Sequence, residues 1–246
     1  MTQEDVRVRG DGSSAPMAAA REELARRLEL VTRVMLRPMA SPMPIGFVGL
    51  AAATVVVASM NLGWISSSQA HQVAIVLIAF VFPLQAVTSI FGVLTRDGVA
   101  GTAMAILAGT WLTVGLVMLT SPPGSTSPAL GVLLIVSAIT MLLPALAASL
   151  GKLVPALVLC TASLRFATSA GYQLTGSADW QRVTGWVGIV LGVLAMYAAL
   201  AALLENVEGK TVLPMGRRRN GRTAVEGGFA EQIIDVSHEP GVRAQL

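Results

Sequence analysis

The sequence predicts an all-α integral membrane protein, a six-transmembrane-helix bundle with N and C termini cytoplasmic. Composition, the lengths of the apolar runs and the placement of Lys and Arg lead there. Of 246 residues, 54% are hydrophobic and 13% charged, and the mean hydropathy is +0.68. A soluble domain carries about twice that share of charge to cover its surface. The surplus apolar side chains therefore face something other than water. Aromatic residues are only 5% of the chain while glycines number 24, a small and aliphatic composition that suits helices packed closely in lipid.

The elements follow in order. Residues 1–40 read as a cytoplasmic leader, polar and carrying both charge signs, without the apolar core of a signal peptide. Within it, at about 17–36, Leu24, Leu28, Val31 and Met35 recur at helical spacing. The i,i+4 pairs Glu22–Arg26, Glu23–Arg27 and Glu29–Arg33 support the same turns. An amphipathic helix on the inner membrane surface or against the bundle is expected, with a solvated leader as the alternative.

Spanning a hydrocarbon core of roughly 30 Å takes about 20 helical residues. Six runs reach that length, at about 45–66, 72–94, 99–120, 129–150, 153–174 and 183–205. Their short connections make successive helices antiparallel neighbours, and a transmembrane domain over 41–216 results. Residues 217–246 lack a long apolar run and read as a mostly disordered cytoplasmic tail, with at most a short helix around Phe229–Val236.

Orientation comes from the cations. Arg21, Arg26, Arg27, Arg33 and Arg37 precede the first span, and Lys210, Arg217, Arg218, Arg219 and Arg222 follow the last. Arg96 and Lys152 occupy the second and fourth connections, whereas the first and third hold neither Lys nor Arg and the fifth holds only Arg182, beside Asp179. The ends and even-numbered connections are thus expected on the cytoplasmic side of a cell membrane. The basic pI of about 9.6 has the same origin. No aromatic residues interleave with the terminal cations, so nucleic acid is not an expected partner.

Enzyme chemistry finds no footing. The 14 acidic residues lie outside the span cores, with Glu205 at the edge of the last. His71 falls in a connection and His238 in the tail. Neither a nucleophile with its base nor a metal-ligand set can converge in the bundle, and no cofactor is implied. Cys160, the single cysteine, reads as a small buried hydrophobe.

Arg165 is the one ionisable group deep within a span. An arginine facing lipid there costs several kcal/mol, so it is expected to face the interior. Two readings stand side by side: a cationic station for a carboxylate, and an arginine satisfied by backbone carbonyls, Gln85 or threonines. Pro83, Pro144 and Pro155 mark possible kinks. Gly188 and Gly192 form a G-x-x-x-G that favours close helix packing and, weakly, a subunit contact.

Two stretches carry a family resemblance. Ser41-Pro42-Met43-Pro44-Ile45-Gly46-Phe47, with Asn61-Leu62-Gly63-Trp64 beyond, resembles the N-P-A-P-L-G-L and N-x-G-aromatic signature of the acetate uptake transporter family, the YaaH-type succinate–acetate permeases. Gly185-Trp186-Val187-Gly188, Met196-Tyr197 and Gly209-Lys210-Thr211-Val212-Leu213-Pro214-Met215-Gly216 resemble the family's later motifs. The resemblance covers about 41–216. It implies a homo-oligomer, commonly a hexamer, in which each protomer passes acetate or succinate, often with protons.

It also implies site residues: Ser41, Pro42, Pro44 and Gly46 at one vestibule, with Ser41 standing for the signature Asn. Leu50 falls where the family has a narrowing Phe. Leu84, Gln85 and Ser89 lie where the family carries a Y-G-G-x-x-Q-like run, its tyrosine replaced by Leu84. The expected function is transport of small carboxylates, proton-coupled or channel-like. A channel for formate or ammonium and a non-transporting membrane scaffold are the alternatives.

Overall fold

The computed structural model describes residues 20, 22–24, 26, 40–95 and 97–218. Its apolar runs form six helices long and apolar enough to cross a membrane: α1 (Met43–Asn61), α2 (Ser67–Leu94), α3 (Gly98–Thr120), α4 (Pro128–Ser149), α5 (Leu153–Thr175) and α6 (Ala178–Glu208). Among the described residues there is no strand. In the leader, Ala20, Glu22, Glu23, Leu24 and Arg26 are helical. The rest of the expected amphipathic helix, Arg96 and the expected turn at Phe229–Val236 lie outside the described residues.

Three elements depart from expectation, each for a local reason. α1 stops at Asn61, because the Ser59 carbonyl accepts from the backbone N–H groups of Trp64 and Ile65 and turns the chain. α6 begins five residues early, counting from about 183 to Ala178. The Ser177 hydroxyl caps it by accepting from the Asp179 N–H, and Asp179 sits in the positively polarised first turn. The charged residues that mimic a connection are thus the opening turn of a helix.

α2 is composite. A 3-10 turn (Ser67–Gln69) leads into α-helix Ala70–Val76, a π turn Leu77–Val81, and α-helix Phe82–Leu94. Pro83 lacks an N–H, and its ring collides with the carbonyl four residues back in a regular helix. The wider π turn just before it absorbs the misfit. His71 belongs to the first turn of this helix rather than to a connection, with Nε2 3.3 Å from the Ser121 carbonyl oxygen.

Each helix packs on its sequence neighbours, and α6 closes against α1, so the six form a ring. The interior holds Phe47, Leu50, Leu77, Leu107, Trp111, Met141, Phe166 and Leu191, all at most 1% exposed. The outside is equally apolar: Leu143 and Leu146 on α4 are each 67% exposed and Val193 on α6 is 66% exposed. A water-facing bundle would carry polar groups there; lipid solvates these side chains.

One expectation about small residues is corrected, and one is borne out. Cys160 is exposed, not buried, because it shares the outward face of α5 with Leu157 and Leu164. The Gly188/Gly192 face is used within the chain. A Cβ on Gly192 would stand 2.5 Å from the Val55 Cγ2 of α1, and one on Gly188 would stand 3.0 Å from the Ala58 Cβ. This face brings α6 onto α1 and closes the ring.

Candidate substrate path

The expected site residues separate into two groups at different depths. At the end where α1 begins, the Pro-rich signature is built for packing. Pro44 occupies the first turn of α1, where a missing N–H costs nothing. Gly46 admits the Met104 sulfur and the Thr88 methyl, which a Cβ would meet at 2.6 and 2.8 Å. The Pro42 carbonyl accepts from the Thr88 hydroxyl at 3.4 Å. The Ser41 carbonyl accepts from the Asn206 amide at 3.2 Å, and the Ser41 hydroxyl accepts from the Met43 N–H at 3.4 Å. The Ser89 hydroxyl donates to the Gly101 carbonyl at 2.8 Å. Leu50 is fully buried in the core.

Gln85 is different. It is fully buried beside Gly49 and Leu84, and neither Oε1 nor Nε2 has a hydrogen-bond partner. Leu84 is half-buried.

The Gly209–Gly216 motif is a strap over the same end. The first backbone N–H groups of any helix lack intrahelical acceptors. In α5 the Leu153 and Val154 N–H groups donate to the Gly216 and Met215 carbonyls at 3.1 and 3.2 Å. Gly216 has φ +62°, and a Cβ there would lie 2.7 Å from the Leu153 Cβ, so glycine is required on both counts. The Tyr197 hydroxyl donates to the Pro214 carbonyl at 3.0 Å. Beneath the strap, the Arg217 Nε donates to Glu205 Oε1 at 2.9 Å and Arg217 Nη2 bonds Glu205 Oε2.

At the opposite end, a cavity of about 90 Å³ reaches inward from the odd-numbered connections to Arg165. Its outer wall carries no carboxylate and mixes polar Asn61, Ser67, Ser125, Tyr172, Gln173 and Gln181 with apolar residues such as Met60, Val117 and Leu130. A wider vestibule of about 530 Å³ shares Met60, Asn61, Ser67 and Gln181 with it and reaches Arg182, Trp64 and Trp186. The inner end is formed by Arg165, Trp111 and Phe166, and Thr184 lines the cavity one turn outward of Gly188, near the level of Asn61.

Arg165 is 2% exposed, with its guanidinium 5.0 Å from the centre of the Trp111 ring. Its Nε and Nη2 have no hydrogen-bond partner, and the same holds for Trp111 Nε1 and Thr184 Oγ1. Gln85 does not satisfy Arg165, since both groups are unpaired. Gly188 makes room for the arginine: a Cβ there would stand 2.8 Å from Nε. One turn nearer the Ser41 end, Leu50, Leu107 and Ala162 are fully buried and form an apolar layer.

Trp111, Thr184 and the hydroxyl- and amide-lined wall are absent from the sequence expectations. A signal existed for part of them. Arg165, Ser169, Tyr172 and Gln173 follow one another at i, i+4, i+7 and i+8, a polar stripe on an apolar helix.

Residues 27–216 match the GPR1/FUN34/yaaH family. The chain belongs to this family. The resemblance read from Ser41–Phe47 and Gly209–Gly216 is therefore borne out, and the match begins upstream of Ser41. The succinate-acetate/proton symporter SatP of Escherichia coli (strain K12) is 27% identical over 186 residues, which cover 72% of this chain and 96% of that protein. The proteins of the same name from Escherichia coli O157:H7 and Shigella flexneri match to the same extent. The solved structure of the bacterial acetate channel SatP is similar with a TM-score of 0.65 at 25% identity, over 73% of this chain and 100% of that one. Six apolar spans and relatives of this kind make the GPR1/FUN34/yaaH member described here a multi-pass membrane protein.

Proposed function

We propose that this chain moves small carboxylates, acetate first and succinate second, across a cell membrane, as a transporter or channel and not as an enzyme. The observation that carries the reading is the cavity that runs from the odd-numbered connections to a buried arginine. Support comes from the relatives, which are named a succinate-acetate/proton symporter and an acetate channel. Arg165 at the base of the path disfavours ammonium, because a fixed cation repels a mobile one.

The path continues from the Arg165 cavity through the apolar layer of Leu50 toward Leu84, Gln85 and the vestibule framed by Ser41, Pro42, Pro44 and Gly46. Ser89, bonded to α3, fixes that wall. The terminal cations set both ends in the cytoplasm, with residues 1–40 as leader and 217–246 as tail. The outward aliphatic faces of α4 and α6 meet lipid or further copies in a homo-oligomer, a hexamer by family likeness.

Uptake of labelled acetate into proteoliposomes tests the function. Saturable uptake that succinate inhibits is expected. Uptake no faster than in protein-free vesicles sinks the proposal, and preferential inhibition by formate reassigns the substrate.

A further inference from the structure

We propose that the lipid-facing ridge of α4, with Arg218 of the strap at its end, is a binding site for an anionic phospholipid. The ridge takes an acyl chain and Arg218 takes the phosphate. Ile139, Leu143, Leu146 and Leu150 recur at helical spacing and are 61%, 67%, 67% and 62% exposed. They form a single apolar ridge on the outside of the ring. From Ile139 to Leu150 the helix rises about 16 Å, close to the roughly 15 Å hydrocarbon depth of one leaflet.

The ridge ends at the strap. Lys152 and Arg217 form an isolated antiparallel bridge, and the Arg218 N–H donates to the Gly151 carbonyl at 2.8 Å. Successive side chains of an extended segment point to opposite sides. Arg217 turns inward to Glu205, so Arg218 points outward, and it is exposed. Across from it stands Gly151, where a Cβ would meet nothing within 4 Å. The main chain thus fixes Arg218 beside the last residue of the ridge, with open room for a ligand.

Charge selects the head group. The carboxylates at this end of the spans are already matched: Asp97 stands 3.7 Å from Lys152, Glu208 is 4.0 Å from Lys210, and Glu205 is held by Arg217. Arg218 pairs with no carboxylate among the described residues. Arg219 and Arg222 follow it in the sequence, with no acid before Glu226. A phosphodiester supplies the missing negative charge through charge-assisted bonds to the guanidinium. A head group that also bears an ammonium brings a second positive charge where no carboxylate is free to receive it. An acidic lipid such as phosphatidylglycerol is therefore favoured over a zwitterionic one.

The opposite end is anchored by other means. Trp64, Trp180 and Trp186 are exposed there, at 60%, 43% and 55%, as in the aromatic belt of a membrane interface. The fourth tryptophan, Trp111, is buried in the core. The strapped end has no tryptophan, and its anchor is ionic.

Thermal melting of the full-length protein in a neutral detergent, with added dioleoyl phosphatidylglycerol or dioleoyl phosphatidylcholine, tests this. Phosphatidylglycerol should raise the melting temperature at least about 4 °C more than phosphatidylcholine, since a ligand of the folded state stabilises it. No difference between the two lipids overturns the proposal. Arg218→Gln should lose at least about half of the difference, and Arg218→Lys should keep most of it. Gly151→Asp, which gives Arg218 a carboxylate of its own in open space, should lose it as well. A difference that survives in full in both Arg218→Gln and Gly151→Asp, or that Arg182→Gln at the other end removes equally, overturns the site. Soluble glycerol phosphate should not stabilise the parent; a gain equal to that from phosphatidylglycerol would assign Arg218 to a free phosphate and overturn the lipid. In a Cys160→Ser background, Leu146→Cys should stay monomeric on oxidation in phosphatidylglycerol vesicles. A disulfide-linked dimer would place a second copy on the ridge and overturn the lipid site.

Discussion

Removal of Arg217 is expected to destabilise the protein far more than an ordinary surface ion pair would allow. Its side chain and that of Glu205 are only 11% and 7% exposed, and the guanidinium holds the carboxylate by two bonds. Taking away one partner of such a pair costs about 3–5 kcal/mol, because a charge is left buried without compensation. The strap also detaches: Arg217 follows the two carbonyls that cap α5. At about 3 kcal/mol, and with roughly 2–4 °C per kcal/mol for a chain of this size, Arg217→Ala should melt about 6–12 °C lower. Tryptophan fluorescence of the solubilised protein on heating reads the shift. The double variant Glu205→Leu/Arg217→Met should recover at least half of the loss, since apolar side chains replace buried pairs well. A shift below about 2 °C for Arg217→Ala, or additive losses in the double variant, would refute the account.

Gly216→Ala should cost about 2 kcal/mol or more in the same melt, from its positive φ and from the Leu153 contact at 2.7 Å. Gly188→Ala should keep the charge of Arg165 yet raise KM for acetate several-fold, because the new Cβ would meet Nε at 2.8 Å and displace the guanidinium; an unchanged KM would show that the placement of Arg165 does not matter to transport. Cys160 should react with a lipid-soluble maleimide and resist a membrane-impermeant one, given its exposed place mid-span. In a Cys160→Ser background, Ser125→Cys should be labelled by the impermeant reagent in intact cells; labelling only after lysis would invert the proposed orientation.

The bundle was legible because a membrane span is written in length and composition alone. The connections were less so, and for a physical reason: Asp179, Gln181 and Arg182 are charged or polar whether they lie in a loop or in a capped first turn that projects beyond the lipid. The inward position of Arg165 followed from the cost of a charge in hydrocarbon. Its neighbours did not, because Trp111 and Thr184 come from α3 and α6 and only the closed ring brings them to one cavity. Likewise, Thr211–Gly216 identified the family from sequence but not its own physical task, which is to cap α5 with main-chain carbonyls that any residue carries.

Unpaired buried polar atoms occur in the bundle interior and, at Thr211 Oγ1, in the strap. At the strapped end the polar groups of Ser89, Thr88, Asn206 and Arg217 are all engaged within the protein. Arg165, Trp111 and Thr184 are left with unpaired atoms on one side of the Leu50 layer, and Gln85 on the other. Gly188 places Arg165 at the level of Thr54 on α1, and Gly49 lies against Gln85. The two unpaired groups are thus separated by about 7.5 Å of helix rise. On the proposed path, an anion leaving Arg165 would cross this distance among Leu50, Leu107 and Ala162 without a hydrogen-bond partner. The desolvation cost of an ion in such surroundings is several kcal/mol, and it grows with the thickness of the dry segment. If the proposed path holds, a layer about one side chain deep would keep the step short enough for an anion to be handed from a charged donor to an amide.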